Sequence, residues 1–135
     1  MNPAAPPPGS RICALDELPE IGAKRFDFRN EDWLFSGFVV RRGQELYGYV
    51  DSCPHNAWPL ASLDDQYLTR DKDMILCAAH GALFRIDDGF CVAGPCFEAK
   101  LTPWPVELRG AEVFTVEVKA PAKKGLLGGL FSRKR

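Results

Sequence analysis

Two short motifs decide how this sequence folds: Cys53-Pro54-His55 and Cys77-Ala78-Ala79-His80, separated by 21 residues. They contain both histidines of the chain and two of its five cysteines. Thiolate and imidazole are common ligands of soft and borderline metals, and a short spacing lets one loop supply two of them. The two motifs therefore predict one metal centre with four ligands, in preference to an accidental grouping of core residues.

Two kinds of metal centre use this set of ligands. One is a structural zinc ion in a Cys2His2 tetrahedron, and the other is an iron–sulfur cluster. The C-x-H motif is shorter than the usual ligand spacings of a tetrahedral zinc site. A cluster with two irons gives the two motifs more freedom, but the spacing alone leaves both centres open.

The sequence around the motifs is typical of short β-strands. Residues 23–29 alternate, which places Phe26 and Phe28 on one face. Residues 33–41 and 45–50 are rich in strand-forming residues and are joined by Arg42-Gly43-Gln44, which predicts a hairpin. We find no window of helical length with a 3.6-residue period, so the body is predicted to be all-β.

Shorter strands are predicted on either side of the second motif and near the C-terminus. Residues 74–77 and 82–86 flank that motif, and the turn signal Asp87-Asp88-Gly89 precedes a return strand. Residues 106–108 and 112–118 predict a last hairpin, with Phe114, Val116 and Val118 pointing inward. The irregular segment 56–73 lies between the motifs, and loops of that length are usually functional.

Both ends of the chain differ from this body. Residues 1–10 contain four prolines, which predicts a disordered leader, and residues 119–135 contain six basic and no acidic residues, which predicts a basic, flexible tail. Residues 1–118 hold 11 basic and 18 acidic residues, which argues against nucleic-acid binding. The alternative for the tail is an arm that docks on an acidic partner or an anionic membrane surface. Because we identify no signal peptide or membrane-spanning run, we expect a cytoplasmic location.

On its motifs, the chain resembles the Rieske-type [2Fe-2S] ferredoxins. Members of that family read C-x-H, often followed by Pro-Leu, then C-x-x-H-G, an aromatic residue and a Gly-Pro loop. The matching features here are Cys53-Pro54-His55, Pro59-Leu60, Cys77-Ala78-Ala79-His80-Gly81, Phe84 and Gly94-Pro95. The resemblance implies a Rieske domain over residues 11–118. The gap between the motifs is a few residues longer than usual, which implies an insertion around residues 63–73.

The resemblance also implies the fold and the cofactor. The fold would consist of small antiparallel sheets, with a cluster-binding subdomain made of two ligand loops and the Gly-Pro loop. Cys53 and Cys77 would bind one iron of a single [2Fe-2S] cluster, and His55 and His80 the other. Replacing two thiolates by neutral imidazoles makes the cluster less negative, so it accepts an electron more readily than a cluster held by four cysteines.

Several neighbouring residues acquire roles from the same resemblance. Pro54 would fix the first loop, and Gly81 would let main-chain amides approach a sulfide. Trp58 would shield the cluster edge, for which a plain core or rim aromatic is the alternative. Gly94-Pro95 would form the loop that covers the cluster, unless it is an ordinary turn.

Two positions after the second motif place the chain in the low-potential, oxygenase-ferredoxin-like branch. High-potential members have a serine and a tyrosine there, whose hydroxyls donate hydrogen bonds toward the sulfurs. Ala82 and Phe84 occupy these positions and cannot donate. We therefore expect a potential at the negative end of the roughly −150 to +300 mV Rieske range.

The implied function is electron transfer without a substrate of its own. Both histidines are assigned to the cluster, and 135 residues leave no room for the second domain of an oxygenase. We expect a ferredoxin that passes single electrons from a flavin-dependent reductase to a terminal oxygenase or a similar acceptor. The alternatives are a small Rieske-like subunit of a larger reductase, as in nitrite reductases, and the structural zinc module. Cys13, Cys91 and Cys96 fit no ligand position and are expected to be small buried residues.

Overall fold

Nine strands form three separate antiparallel sheets in the computed structural model, which describes residues 3–52, 60, 67–77, 81–95 and 98–117. The strands are β1 Arg11–Ala14, β2 Ile21–Asn30, β3 Trp33–Arg42, β4 Glu45–Val50, β5 Met74–Leu76, β6 Leu83–Arg85, β7 Cys91–Ala93, β8 Val106–Arg109 and β9 Glu112–Thr115. The one helical element among these residues is a 3-10 turn, Leu15–Glu17. The all-β fold predicted from the sequence is confirmed.

The central sheet contains two hairpins, of which the sequence predicts the second, between residues 33–41 and 45–50. Its strand order is β2-β3-β4, and β2 pairs with β3 over ten consecutive residues, from Ile21 opposite Arg42 to Asn30 opposite Trp33. Gly43 turns the chain between β3 and β4 with a φ of 65°, a left-handed conformation that glycine adopts without strain. β4 ends at Val50, and two residues separate it from Cys53, where the first motif begins.

The small sheet, β5-β6-β7, holds the second motif at its first turn. Ile75 pairs with Phe84 and Leu76 with Leu83, so β5 leads into Cys77 and β6 leads away from Ala82. The terminal sheet, in the order β1-β9-β8, joins the two ends of the described chain. Within the central sheet and within the small sheet, which both adjoin the motifs, consecutive strands are joined by short connections.

Apolar side chains form two cores rather than one. The larger core lies between the central and small sheets and includes Phe38, Tyr67, Ile75, Phe84 and Leu101. The second core lies between the central and terminal sheets. In it Trp104 meets the rings of Phe26, Phe28 and Phe35, with ring centroids 5.3 to 6.4 Å apart.

The inward face of β9 differs from the prediction. Val113 and Thr115 are buried, whereas Phe114 and Val116 are only partly buried, and Val118 lies outside the described residues. Apolar side chains occur at both odd and even positions of residues 112–118, so the alternation did not decide which face is inside. A shift of one residue exchanges the two faces of a strand. Thr115 is tolerated inside because its hydroxyl donates to the Pro7 carbonyl at 2.9 Å and accepts from the Ser10 amide at 3.0 Å.

Residues 3–10 also differ from the disordered leader that the sequence predicts. Ala4 is buried in the second core, the Gly9 amide donates to the Thr115 carbonyl at 2.8 Å, and the Pro3 carbonyl accepts from Asn30 Nδ2 at 3.1 Å. Proline has a fixed φ and little backbone entropy to lose, so a Pro-rich segment is ordered at low cost once its carbonyls find donors. The leader therefore covers part of the terminal and central sheets.

No part of the chain that the structure describes forms a helix long and apolar enough to cross a bilayer.

Candidate metal centre

Cys77 is the predicted ligand that the structure describes, and it lies directly after β5. Its side chain is fully buried, in the larger core. Ile75, two residues earlier, points into the same core, which follows from the two-residue period of a strand. The strand therefore delivers a thiol to a site from which bulk water is excluded.

Two main-chain hydrogen bonds close the turn that begins at Cys77. The Cys77 amide donates to the Ala82 carbonyl at 2.9 Å, and the Gly81 amide donates to the Cys77 carbonyl at 2.8 Å. Gly81 has a φ of 73°, and a Cβ built on it meets no atom within 4 Å. Backbone conformation rather than crowding favours glycine here, as expected for a residue that must present its main chain to a ligand.

The Gly94-Pro95 turn lies against Ala82, two residues after the second motif. A Cβ on Gly94 would be 2.6 Å from Ala82 Cα and 3.2 Å from the Ala82 amide nitrogen. Gly94 has a φ of 100°, so both conformation and space exclude a side chain. Pro95 is exposed. The glycine lets this loop cover the backbone that follows the second motif.

Ala82 and Phe84 are both completely buried. Phe84 packs in the larger core, opposite Ile75 of β5. Neither side chain carries a hydrogen-bond donor. The side chains that follow the second motif are therefore apolar and buried, and the low potential expected from them stays a prediction.

Asp51 is a residue that the motifs did not identify. It follows β4 and lies two positions before Cys53, and its side chain is fully buried. Its Oδ1 accepts from the Leu60 amide at 2.8 Å, and its Oδ2 accepts from the Tyr67 hydroxyl at 2.8 Å. The available signal was an acidic residue between a buried strand and a predicted ligand.

The segment that holds Tyr67 falls within the insertion predicted over residues 63–73. Tyr67 is fully buried and stacks on Phe38, with ring centroids 4.2 Å apart and planes 9° apart. Leu68 bridges to Ile75, and the Thr69 amide donates to the Met74 carbonyl at 2.9 Å. Residues 67–73 therefore fold back onto β5.

The other predicted site residues lie outside the described residues: Cys53, Pro54, His55, Trp58 and His80. The described residues nevertheless fit a metal–sulfur centre in three respects. The Cys77 thiol is buried, Gly81 has the left-handed conformation that the predicted approach needs, and Gly94 leaves room for a covering loop. The set of four ligands stays a prediction from the motifs.

Of the three remaining cysteines, Cys13 and Cys91 are buried as expected, and Cys96 lies outside the described residues. Burial raises the pKa of the Cys13 thiol to about 11, which keeps it protonated and unreactive at neutral pH. The Cys91 thiol donates to the Ala93 carbonyl at 3.2 Å.

Comparison with known proteins assigns most of the chain to one domain type. The model of the Rieske [2Fe-2S] domain matches residues 10–116. Ferredoxin CarAc of Metapseudomonas resinovorans is 33% identical over 109 residues, which cover 81% of this chain and 94% of that protein.

Solved structures show the same fold at lower identity. The ferredoxin of carbazole 1,9a-dioxygenase from Nocardioides aromaticivorans IC177 superposes with a TM-score of 0.65 at 23% identity, over 82% of this chain and 98% of that one. The ferredoxin of Sphingomonas yanoikuyae B1 gives 0.61 at 21%, over 82% and 99%. A chain from a complex of oxygenase and ferredoxin in carbazole 1,9a-dioxygenase gives 0.60 at 24%, over 78% and 90%.

Proposed function

This chain belongs to the Rieske [2Fe-2S] domain family, and from that membership we propose that it is a ferredoxin that carries single electrons from a flavin-dependent reductase to a terminal oxygenase. The observation that carries the proposal is the 33% identity to a ferredoxin over nearly its full length. The preserved ligand motifs support it, because a chain that had lost electron transfer would not need all four ligands.

The cofactor of this family is the [2Fe-2S] cluster, which supplies a one-electron couple when bound. We assign Cys53 and Cys77 to one iron, and His55 and His80 to the other. Support for Cys77 is its complete burial and its position after β5. The other three assignments rest on the motifs.

The chain's own contribution is to hold and shield this centre. The two main-chain hydrogen bonds between residues 77 and 82 fix the turn that follows Cys77. The loop at Gly94 packs against Ala82, the completely buried residue that ends the same turn. A rigid site with buried neighbours keeps the reorganisation that accompanies a change of charge small, which favours rapid electron transfer.

The acceptor is proposed from the relatives. Two of the solved structures come from carbazole 1,9a-dioxygenase systems, and one of these is a complex of an oxygenase with a ferredoxin. By analogy, this chain would dock on a terminal oxygenase and would have no substrate of its own. A subunit of a larger reductase is the second candidate, and the match over 94% of a separate ferredoxin favours the carrier.

A cytoplasmic location is part of the same proposal. The buried Cys13 is a thiol, which is compatible with a reducing compartment.

The function is tested with protein purified anaerobically. We expect two irons and two sulfides per chain, a visible charge-transfer spectrum, and reduction of the centre by a flavin-dependent reductase. Mixing the reduced protein with a terminal oxygenase and its substrate should reoxidise it and give product, whereas the protein alone should give none. Zinc without visible absorption would contradict the cofactor, and stable co-purification with a large reductase would favour the subunit.

A further inference from the structure

The segments that carry the two motifs are joined by a hydrogen bond between buried side chains. Asp51 Oδ2 accepts from the Tyr67 hydroxyl at 2.8 Å, and both side chains are fully buried. The second carboxylate oxygen, Oδ1, accepts from the Leu60 amide. Arg25 Nε lies 3.8 Å from Oδ2 and supplies a compensating positive charge from β2.

The two residues of this bond are each connected to one of the two motifs. Asp51 lies two residues before Cys53. The Tyr67 carbonyl accepts from the Leu76 amide at 2.8 Å, and Leu76 directly precedes Cys77. The Asp51–Tyr67 bond therefore connects the approach to the first motif with the approach to the second.

We propose that Asp51 and Tyr67 form a clasp that sets the separation of the two ligand segments, and that both are positioning residues for the cluster. This inference rests on the proposed function, since it assumes that the two segments hold one cluster. The Asp51 carboxylate and the Tyr67 ring would act through Cys53 and Cys77 and would not themselves ligate iron.

Burial cost and rigidity support a positioning role. A carboxylate is expensive to remove from water, and apolar residues of similar volume would stabilise this core at lower cost. Tyr67 is held between its main-chain bond to Leu76 and its stack on Phe38, so its hydroxyl has a fixed place. A directional bond between two fixed groups defines a distance, which apolar contacts do not.

The chain offers a matched control in Tyr49. This second buried tyrosine belongs to the same core, and its hydroxyl donates to the Ile86 carbonyl at 2.5 Å. Tyr49 and Ile86 are each separated from the nearest predicted ligand by several residues. Tyr67→Phe and Tyr49→Phe therefore remove the same atom from the same core, but only the first breaks the clasp.

The experiment compares these variants with the wild type after cluster assembly. The readouts are the rate of iron release to a chelator, the electron paramagnetic resonance spectrum of the reduced centre, and the melting temperature of the cluster-loaded protein. Tyr67→Phe should release iron about tenfold faster than the wild type and broaden the spectrum. Tyr49→Phe should stay within about twofold of the wild type, at a similar loss of melting temperature.

Substitutions of Asp51 give a second comparison. Asp51→Asn keeps an acceptor for the Leu60 amide and can donate its own N–H to the Tyr67 oxygen, so it should restore most of the cluster retention that Asp51→Ala loses. If the rate of iron release rises in proportion to the loss of melting temperature in all variants alike, the clasp is overturned and the ferredoxin function is unaffected. A wild-type protein without a Rieske spectrum would overturn the function itself, and the clasp with it.

Discussion

At the scale of single residues, the side chains of Ala82 and Phe84, which carry no hydrogen-bond donor, have the clearest consequence. A reduced cluster gains negative charge, and hydrogen bonds toward its sulfurs stabilise that charge. Ala82 and Phe84 supply no such bond and are completely buried, so water cannot substitute for them. The protein should therefore hold its electron weakly and pass it on readily.

Ala82→Ser tests this by introducing one donor. The hydroxyl should raise the reduction potential by on the order of 100 mV, because a charge-assisted hydrogen bond contributes roughly 1.5–3 kcal/mol and 59 mV corresponds to about 1.4 kcal/mol. Protein-film voltammetry measures the shift. Ala23→Ser is the control, since it adds a hydroxyl at a buried position of β2 in the same core. An equal shift in both variants would assign the effect to general polarity.

Asp27 gives a prediction on pH. Ser36 Oγ donates to its Oδ1 at 2.5 Å and Arg25 Nε at 3.0 Å, which hold the pKa of this carboxyl below its ordinary value. A lowered pKa means that the stabilisation is complete above about pH 4 and is lost as the pH falls through the folded-state pKa.

Asp27→Asn should therefore lower the melting temperature at pH 7 and converge with the wild type near about pH 2. The difference should be below about 1 kcal/mol, because the side chain is half exposed. Asp32→Asn, in the exposed turn of the same hairpin, controls for the loss of a charge. If the melting temperatures of Asp27→Asn and the wild type differ by the same amount at both pH values, the lowered pKa of Asp27 is contradicted.

At the scale of elements, the local sequence was enough to predict the strands of the central sheet, the hairpin of β3 with β4 and the short strands that flank the second motif. These features depend on local sequence, on turn glycines and on a spacing known from the family. Asp51 and Tyr67 were not predicted, because a bond between residues 16 positions apart in an irregular segment leaves no periodic signal. The predicted inward face of β9 was wrong, because apolar residues occur at both odd and even positions of that segment.

Gly94→Ala tests the contact between the third loop and the second motif. The methyl group would come within 2.6 Å of Ala82 Cα, so one of the two loops must move. We expect loss of about 2–4 kcal/mol of stability and faster bleaching of the cluster in air.

The control is Gly110→Ala in the β8–β9 turn. Gly110 also has a positive φ, of 64°, but a Cβ there meets nothing within 4 Å, so its cost is backbone strain of about 1 kcal/mol. Stability is measured by denaturant unfolding and bleaching by visible absorption. If Gly94→Ala and Gly110→Ala lose equal stability and bleach equally fast, crowding at Ala82 is not what requires glycine at position 94.

At the scale of the whole molecule, charge is divided between body and tail. Six basic residues follow residue 118, and the 18 acidic residues all precede it. The Rieske domain match ends at residue 116, before the tail begins. An acidic body would itself dock best on a partner with a basic surface.

Removing residues 121–135 should therefore leave the visible spectrum and the turnover with reductase and oxygenase unchanged. Turnover is measured between low and physiological ionic strength, where any electrostatic docking would weaken with salt. Lower turnover of the shortened protein at low salt alone would instead identify the tail as a docking arm.

The terminal sheet bears on the order in which the protein can fold during synthesis. β2 and β3 are separated by two residues and pair over ten, so they close with little loss of chain entropy. β1 must wait for β9, whose Glu112 bonds to Arg11 across 101 positions. Once about the first 100 residues have emerged from the ribosome, the central and small sheets can be complete while β1 and Cys13 are not yet covered by β9. For that interval the first strand is a target for a chaperone.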